Sequence, residues 1–427
     1  MGANIVVFVL SFINNKLIYL FLDEADNGVF FLVMRSSLFL ALFMGDWLRL
    51  SSMNIAGNDK HIIPVLSANG FWYSVTLGLV LLFSLSLIPP VFEGNVLGFP
   101  SRYLPVIFIT GIALIARNNW QSLLLVNHRM FFYGLTFVLW VSLFLILDII
   151  FLVIFRFGLN FVVAALVITS VVSALWAFIT SIITNGHTFR PSFNVFRMSG
   201  KIGVRAWIAV LGMFLMTNIH VFSIKPLTGS SEEGWIMVAM FSVSFRVFAL
   251  FQRGADVAGT VLYSHIVQRD DSTGYRMTML VTRNIILVSV GFAVFCALIG
   301  KTLILIISSS RYMAAYNPLL LMLPGIIAVN AGSVINNYYW GHTYPLKIIC
   351  APFIAALLGL GLNIALVPEI GVSGATLSFS LMSVVWFMYQ VAWFVKDSDF
   401  KLTEVLVPRL SDVKHVISRI NKNVFRG

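Results

Sequence analysis

Apolar residues run in stretches of about 20 along nearly the whole chain, interrupted by short clusters of Gly, Pro, Asn and charge. A helix needs ~20 predominantly apolar residues to cross a bilayer. That length predicts twelve membrane helices, at about 3–22, 28–48, 63–88, 104–125, 131–155, 160–184, 205–224, 235–262, 285–308, 317–340, 346–367 and 371–395. Lipid offers the backbone no hydrogen bonds, so segments of this length are helices; strands of a membrane barrel would be about half as long and would alternate. Met1–Leu22 has no basic lead and no small-residue cleavage signal before Asp23, so it reads as the first span and not as a signal peptide.

Composition agrees with this pattern. Of 427 residues, 59% are hydrophobic and 11% charged, against roughly 25% charged in soluble globular domains. The mean hydropathy is +0.93. Cys296 and Cys350 both fall inside apolar runs, so neither a disulfide framework nor a thiolate metal site is expected. The histidines offer no ligand pair and no nucleotide-binding loop is present, so no metal, no cofactor and no enzyme chemistry is expected.

The net charge of +11 would suggest nucleic acid in a soluble protein; in a membrane chain it first marks cytoplasmic loops, and no nucleic-acid partner is expected. Between the spans, 18 Lys and Arg fall in the even-numbered loops and the tail, and four (Arg102, Arg156, Lys225 and Arg311) in the odd-numbered loops. This asymmetry places both termini in the cytoplasm.

The longest even loop, 186–204, divides an N-terminal six-helix lobe (1–185) from a C-terminal one (205–395). Weak echoes support the division: Asn27-Gly28 and Glu233-Gly234 each open a span, and Arg102-Tyr103 echoes Arg311-Tyr312. Two six-helix repeats of even span number are parallel and flank a central cavity, which is the geometry of a transporter. In the tail, 396–427, Leu402, Leu406, Leu410, Val413, Ile417 and Ile420 recur at spacings of three and four between basic residues, predicting an amphipathic helix on an anionic lipid surface.

Nine charged residues fall within the expected spans: Lys16, Arg35, Asp46, Arg117, Asp148, Arg246, Arg253, Asp256 and Lys301. Each costs at least ~2.5 kcal/mol near a helix centre, so they should face a cavity or one another. Six cations against three acids suits an anionic ligand, with a diphosphate the natural polyanion in a membrane setting. Arg246 and Arg253 share one helix face, with Asp256 three residues beyond Arg253. With Lys16 and Arg35 they form the expected cationic cradle. Arg117, beside Asn118, Asn119 and Gln121, suits either ligand binding or interhelical glue. Asp148 and Asp256 suit charge pairing, and Asp148 also suits coupling to a proton; H+ or Na+ coupling stays open. Lys301 and Asp46, near span ends, are expected to snorkel.

The stretch Asn363-Ile-Ala-Leu-Val-Pro368-Glu-Ile-Gly371-Val-Ser-Gly374-Ala375 is similar to the N-x-x-L-[VI]-P-x-x-G-x-x-G-A segment between spans 11 and 12 of Wzx-type polysaccharide flippases, within the multidrug/oligosaccharidyl-lipid/polysaccharide exporter superfamily. Asp26-Asn27-Gly28-Val29-Phe30 resembles that family's entry to span 2, with Asn27 where Tyr is usual. The resemblance extends over the whole chain in span number and lobe size. It implies translocation of an undecaprenyl-diphosphate-linked O-antigen or capsule repeat unit from the cytoplasmic to the periplasmic leaflet of a bacterial inner membrane, by alternating access. It also implies cooperation with the polymerase and other assembly proteins, and basic residues of spans 1, 2, 7 and 8 facing the cavity; Lys16, Arg35, Arg246 and Arg253 fall in three of those spans. Two alternatives stay open: a cation-coupled multidrug exporter, for which Lys16 has the wrong sign in span 1, and a membrane polysaccharide polymerase or ligase, for which the odd loops are short.

Overall fold

The computed structural model describes residues 2–87, 95–96, 99–186, 188–229, 232–266, 271–342 and 345–407, with backbone alone at 2, 4, 86, 87, 95, 96, 99, 100, 253–266, 271, 272, 341 and 342. Thirteen α-helices follow one another among these residues: α1 Gly2–Phe21, α2 Glu24–Asn58, α3 Ile63–Leu87, α4 Leu104–Val126, α5 Met130–Asp148, α6 Leu159–Asn185, α7 Phe193–Leu227, α8 Glu232–Ile266, α9 Asp271–Ile307, α10 Tyr316–His342, α11 Leu346–Ile370, α12 Val372–Ser398 and the short α13 Leu402–Leu406. Among the described residues the strands are two-residue pieces, β1 Asn95–Val96 against β2 Phe99–Pro100, in one antiparallel pair. The chain is a multi-pass membrane protein: ten of its helices are long and apolar enough to cross a bilayer, and Ile5–Phe21 adds a shorter apolar helix.

Several helices outrun the spans read from hydropathy. The 35-residue α2 is about 52 Å long at ~1.5 Å per residue, well beyond a ~30 Å hydrocarbon core. Residues 49–58, expected in a loop, are its last turns, and residues 193–204, expected within the inter-lobe linker, are the first turns of α7. Hydropathy reports where lipid ends; a helix stops only where capping, proline or packing stops it. The predicted tail helix falls mostly on 408–427, outside the described residues; α13 covers 402–406.

Two compact units emerge. One contains Met1–Phe214, Lys225–Ala239 and Ile306–Arg311, and the other Leu215–Ile224, Met240–Leu305 and Tyr312–Gly427. In the first, α4 is the central helix, packed against α2, α3, α5 and α6. It is also the helix that its own Arg117, Asn118, Asn119 and Gln121 keep out of the set apolar enough to span alone. Polar side chains that lipid would reject are accommodated by surrounding them with protein. Trp120, Leu123, Leu66, Ile55 and Ala177 close an apolar core beneath them.

In the second unit α12 is central, packed against α10 and α11. Gly325 and Gly332 on α10 make room for Phe379 and Trp386 on α12; a Cβ at either would lie 2.7 Å or less from a ring atom. Small residues facing large rings permit the close helix approach on which membrane association depends. Gly371, with φ of +59°, is the single residue joining α11 to α12, and a side chain at Gly374 would strike the Leu366 carbonyl. The family-like segment is therefore a tight helical corner and not an extended loop.

Candidate functional site

The first unit holds five of the residues singled out from sequence: Lys16 on α1, Arg35 and Asp46 on α2, Arg117 on α4 and Asp148 at the end of α5. Lys16 and Arg35 are half-buried, and the Arg35 guanidinium lies 5.1 Å from the centre of the Phe31 ring, one turn back.

Arg117 is 6% exposed. Its guanidinium stacks on Trp140, 5.0 Å from the ring centre, and reaches Phe137 at 5.8 Å, both on α5. Nη2 donates to Asn118 Oδ1 at 3.3 Å, while Nε and Nη1 are buried with no acceptor among the described residues. Among the described residues no carboxylate is paired with it; Asp46 pairs with Arg49, Asp23 with Arg311 and Asp397 with Lys347.

Next to Arg117 in sequence, Asn118 lines a cavity of about 170 Å³ together with Gln121, Ser122, Tyr133, Phe137 and the Asp46–Arg49 pair. Asp46 accepts two hydrogen bonds from Arg49, at 2.8 and 2.9 Å. This corrects the expectation that Asp46 snorkels: the helix runs on past the expected span end, and i,i+3 spacing puts Arg49 beside it. Gln121 donates to the Tyr133 carbonyl at 3.1 Å and ties α4 to the first turn of α5. The lining thus offers the amides of Asn118 and Gln121 and the hydroxyls of Ser122 and Tyr133, while its guanidinium, Arg49, is held by the Asp46 carboxylate.

Asp148 is fully buried (0% exposed). Asn14 on α1 is the polar side chain facing it, outside ordinary hydrogen-bond geometry, so neither carboxylate oxygen has a partner among the described residues. It lies eight residues beyond Trp140, about 12 Å along the helix axis, so it does not neutralise Arg117. Directly after Asp148 the helix widens into a π-helical turn, Ile149–Ile154, with Phe155 N–H donating five residues back to the Ile150 carbonyl at 3.1 Å. Such turns recur at functional positions because they displace a carbonyl from the regular ladder.

In the second unit, Arg246 is half-buried on α8 between Phe245 and the fully buried Phe248. Arg253 and Asp256 lie on the same helix, and their side chains are outside the described residues. Lys301, expected to snorkel, is exposed with its ammonium 5.5 Å from the centre of the Tyr316 ring. Among the described residues no group of three or more His, Cys, Asp and Glu is placed to hold a metal ion.

One functional-looking cluster had no sequence signal beyond the lone histidine of a span. His220 on α7 is fully buried, with Nδ1 3.0 Å from Asn363 Oδ1 on α11. Asn363 was noted only as the first residue of the family-like segment.

No family model matches the chain, and no curated protein does. Solved structures do. An inward-facing multidrug resistance MATE family transporter of the MOP superfamily matches with a TM-score of 0.72 at 14% identity, covering 92% of this chain and 94% of the other. The lipid II flippase MurJ, in an inward closed conformation, matches with a TM-score of 0.73 at 14% identity over 93% and 89%. These likenesses are of fold: the chain is folded like these transporters. A third MOP transporter, from Pyrococcus furiosus Vc1, described as having a binding pocket of reverse polarity, matches with a TM-score of 0.65 at 16% identity over 93% of each chain. The two-lobe, all-helical architecture expected from the spans is thus the fold that the chain shares with these transporters.

Proposed function

We propose that this chain is a flippase that carries a diphosphate-linked lipid oligosaccharide, the precursor of a surface polysaccharide, from the cytoplasmic to the periplasmic leaflet of a bacterial inner membrane by alternating access. The observation that carries the reading is Arg117: a buried guanidinium, stacked on an aromatic ring, with two nitrogens that find no acceptor and no paired carboxylate among the described residues. Buried donors are ordinarily satisfied, and an anionic ligand entering beside Asn118 would supply the missing acceptors. Lys16 and Arg35 of the first unit and Arg246 and Arg253 of the second are the further cations proposed to meet the diphosphate, with the lipid tail left in the bilayer. Both termini lie in the cytoplasm on this reading, and Asp148 and Asp256 serve coupling or charge pairing, with H+ or Na+ as the driving ion. The polymerase and other assembly proteins are the expected partners. That one neighbour of the same fold is a lipid II flippase supports a phosphorylated lipid cargo.

The second reading is export of an organic cation driven by an ion gradient. It draws on the MATE neighbours and on Asp148, a buried carboxylate whose oxygens have no hydrogen-bond partner among the described residues.

The deciding experiment deletes the gene in its own cell and follows lipid-linked repeat units across the membrane. Repeat units trapped on the cytoplasmic face, released by the wild-type gene and not by Arg117→Met, are expected. Normal surface glycan in the deletion strain, together with lost resistance to cationic drugs, would refute the flippase and establish the exporter.

A further inference from the structure

His220 sits where hydrogen bonding dictates its tautomer. Ser223, one turn along α7, donates its hydroxyl proton to the Ile219 carbonyl. Its oxygen is then free to accept, and Asn363 Nδ2 donates to it at 2.9 Å. That turns the amide so that Oδ1, an acceptor only, faces His220 Nδ1 at 3.0 Å. An acceptor opposite Nδ1 requires the proton on Nδ1. The bare nitrogen of the neutral ring is therefore Nε2, and it is buried with no partner among the described residues.

The surroundings of that lone pair are apolar. Phe241 of α8 lies 6.5 Å away, ring centre to ring centre and roughly parallel, and Phe379 of α12 presents itself edge-on at 5.6 Å. Gly359 of α11 leaves the ring space, since a Cβ there would lie 3.4 Å from Nε2 and 3.3 Å from Met382 Cγ. No charged or titratable group from α8, α11 or α12 acts on the imidazole among the described residues. Buried polar groups with no partner in an otherwise satisfied network call for an explanation. Here the relay Ser223–Asn363–His220 fixes which nitrogen of the neutral ring carries the lone pair, and that nitrogen is the atom a proton would occupy.

We propose that His220 Nε2 is a proton-binding site of the second unit, loaded and unloaded during the transport cycle, with H+ as a driving ion. Protonation turns the ring into an imidazolium with donors at both nitrogens. Nδ1–H keeps Asn363, while the new Nε2–H has only aromatic faces nearby. Ring faces attract a cation weakly, so the loaded state favours an arrangement of α7 and α11 in which Nε2–H finds an acceptor or water. That difference between loaded and unloaded packing is what a gradient can act on. The assignment rests on the transport reading for its role in coupling, and not for the binding of the proton.

The test uses the full chain in lipid nanodiscs and in proteoliposomes. With ¹⁵N-labelled histidine, the signal lost in His220→Gln identifies the residue. The expected spectrum shows Nδ1 protonated and Nε2 bare at alkaline pH, with Nε2 gaining a proton on acidification while the helical signal is unchanged. Ser223→Ala, which leaves Asn363 free to flip, should lose the tautomer preference. An Nε2–H tautomer, or a ring that never titrates while the protein stays folded, overturns the site. In proteoliposomes with a fluorescent polyprenyl-diphosphate sugar, an imposed pH gradient should accelerate translocation by wild type and by Cys350→Ser, and fail to accelerate it in His220→Gln. Retained acceleration in His220→Gln overturns the coupling role. If wild type moves no such lipid at all, the flippase reading fails while the spectroscopic result still decides the proton site.

Discussion

Replacing Arg117 with Met separates a structural arginine from one that meets a ligand. The side chain is buried, holds one hydrogen bond of 3.3 Å and stacks on Trp140. Losing a desolvated cation–π contact costs about 2 kcal/mol. Removing an uncompensated buried charge returns a comparable or larger amount, since apolar replacements of buried ions are often neutral or stabilising by about 1–4 kcal/mol. Arg117→Met should therefore keep or raise the thermal midpoint in detergent. Ligand binding behaves oppositely. Hydrogen bonds to a charged group contribute about 1.5–3 kcal/mol, which is roughly a 10- to 150-fold loss in affinity at ~1.4 kcal/mol per decade. Arg117→Lys, a point charge that cannot stack or fork, should fall between the two. The assay pairs a melting curve with binding of a fluorescent polyprenyl-diphosphate sugar to the purified protein. A variant that melts normally and binds as wild type refutes the ligand role; a variant that unfolds shows that the guanidinium was interhelical glue.

Further outcomes follow from the same geometry. Asp148→Asn replaces an unpaired buried carboxylate with a neutral amide of the same shape, so stability should hold or rise while gradient-driven transport is lost; full gradient dependence in the variant would remove Asp148 from coupling. Asp46→Ala should lower the melting point, and a double-mutant cycle with Arg49→Ala should give a coupling of about 1–2 kcal/mol for their two-bond pair; a coupling near zero would mean the pair is incidental. Gly28→Ala would drive a methyl into the Trp235 carbonyl, 2.0 Å from its built Cβ, so a loss of about 1–3 kcal/mol is expected by calorimetry, and an unchanged midpoint would show that the two helix starts are not in tight contact. Arg246→Ala should reduce translocation with normal membrane levels, and undiminished surface glycan would exclude it from the cradle.

Several parts of this architecture are visible in single residues, and others are not. The long apolar runs announce membrane helices, and Arg117 with its polar neighbours reads as either ligand-binding or interhelical, a choice that the central position of α4 does not itself make. The ends of α2 and α7 were misplaced because hydropathy falls to nothing in water while the helix continues, and the Asp46–Arg49 pair was hidden by that same boundary. Asn14 and Asp148 face one another from helices far apart in sequence, and His220 and Asn363 are 143 residues apart. No spacing rule connects either pair.

What the chain order by itself determined is the medium and the inventory: each residue's cost of transfer into lipid is its own, so a multi-pass membrane chain and an expected surplus of cations within its apolar runs follow from adding single-residue terms. Which of those charges are answered by a partner is a property of pairs, set by how each helix is rotated and how closely it approaches its neighbours. Only the packed structure decided that Arg49 satisfies Asp46, that Arg117 keeps open donors, and that one histidine nitrogen is left bare.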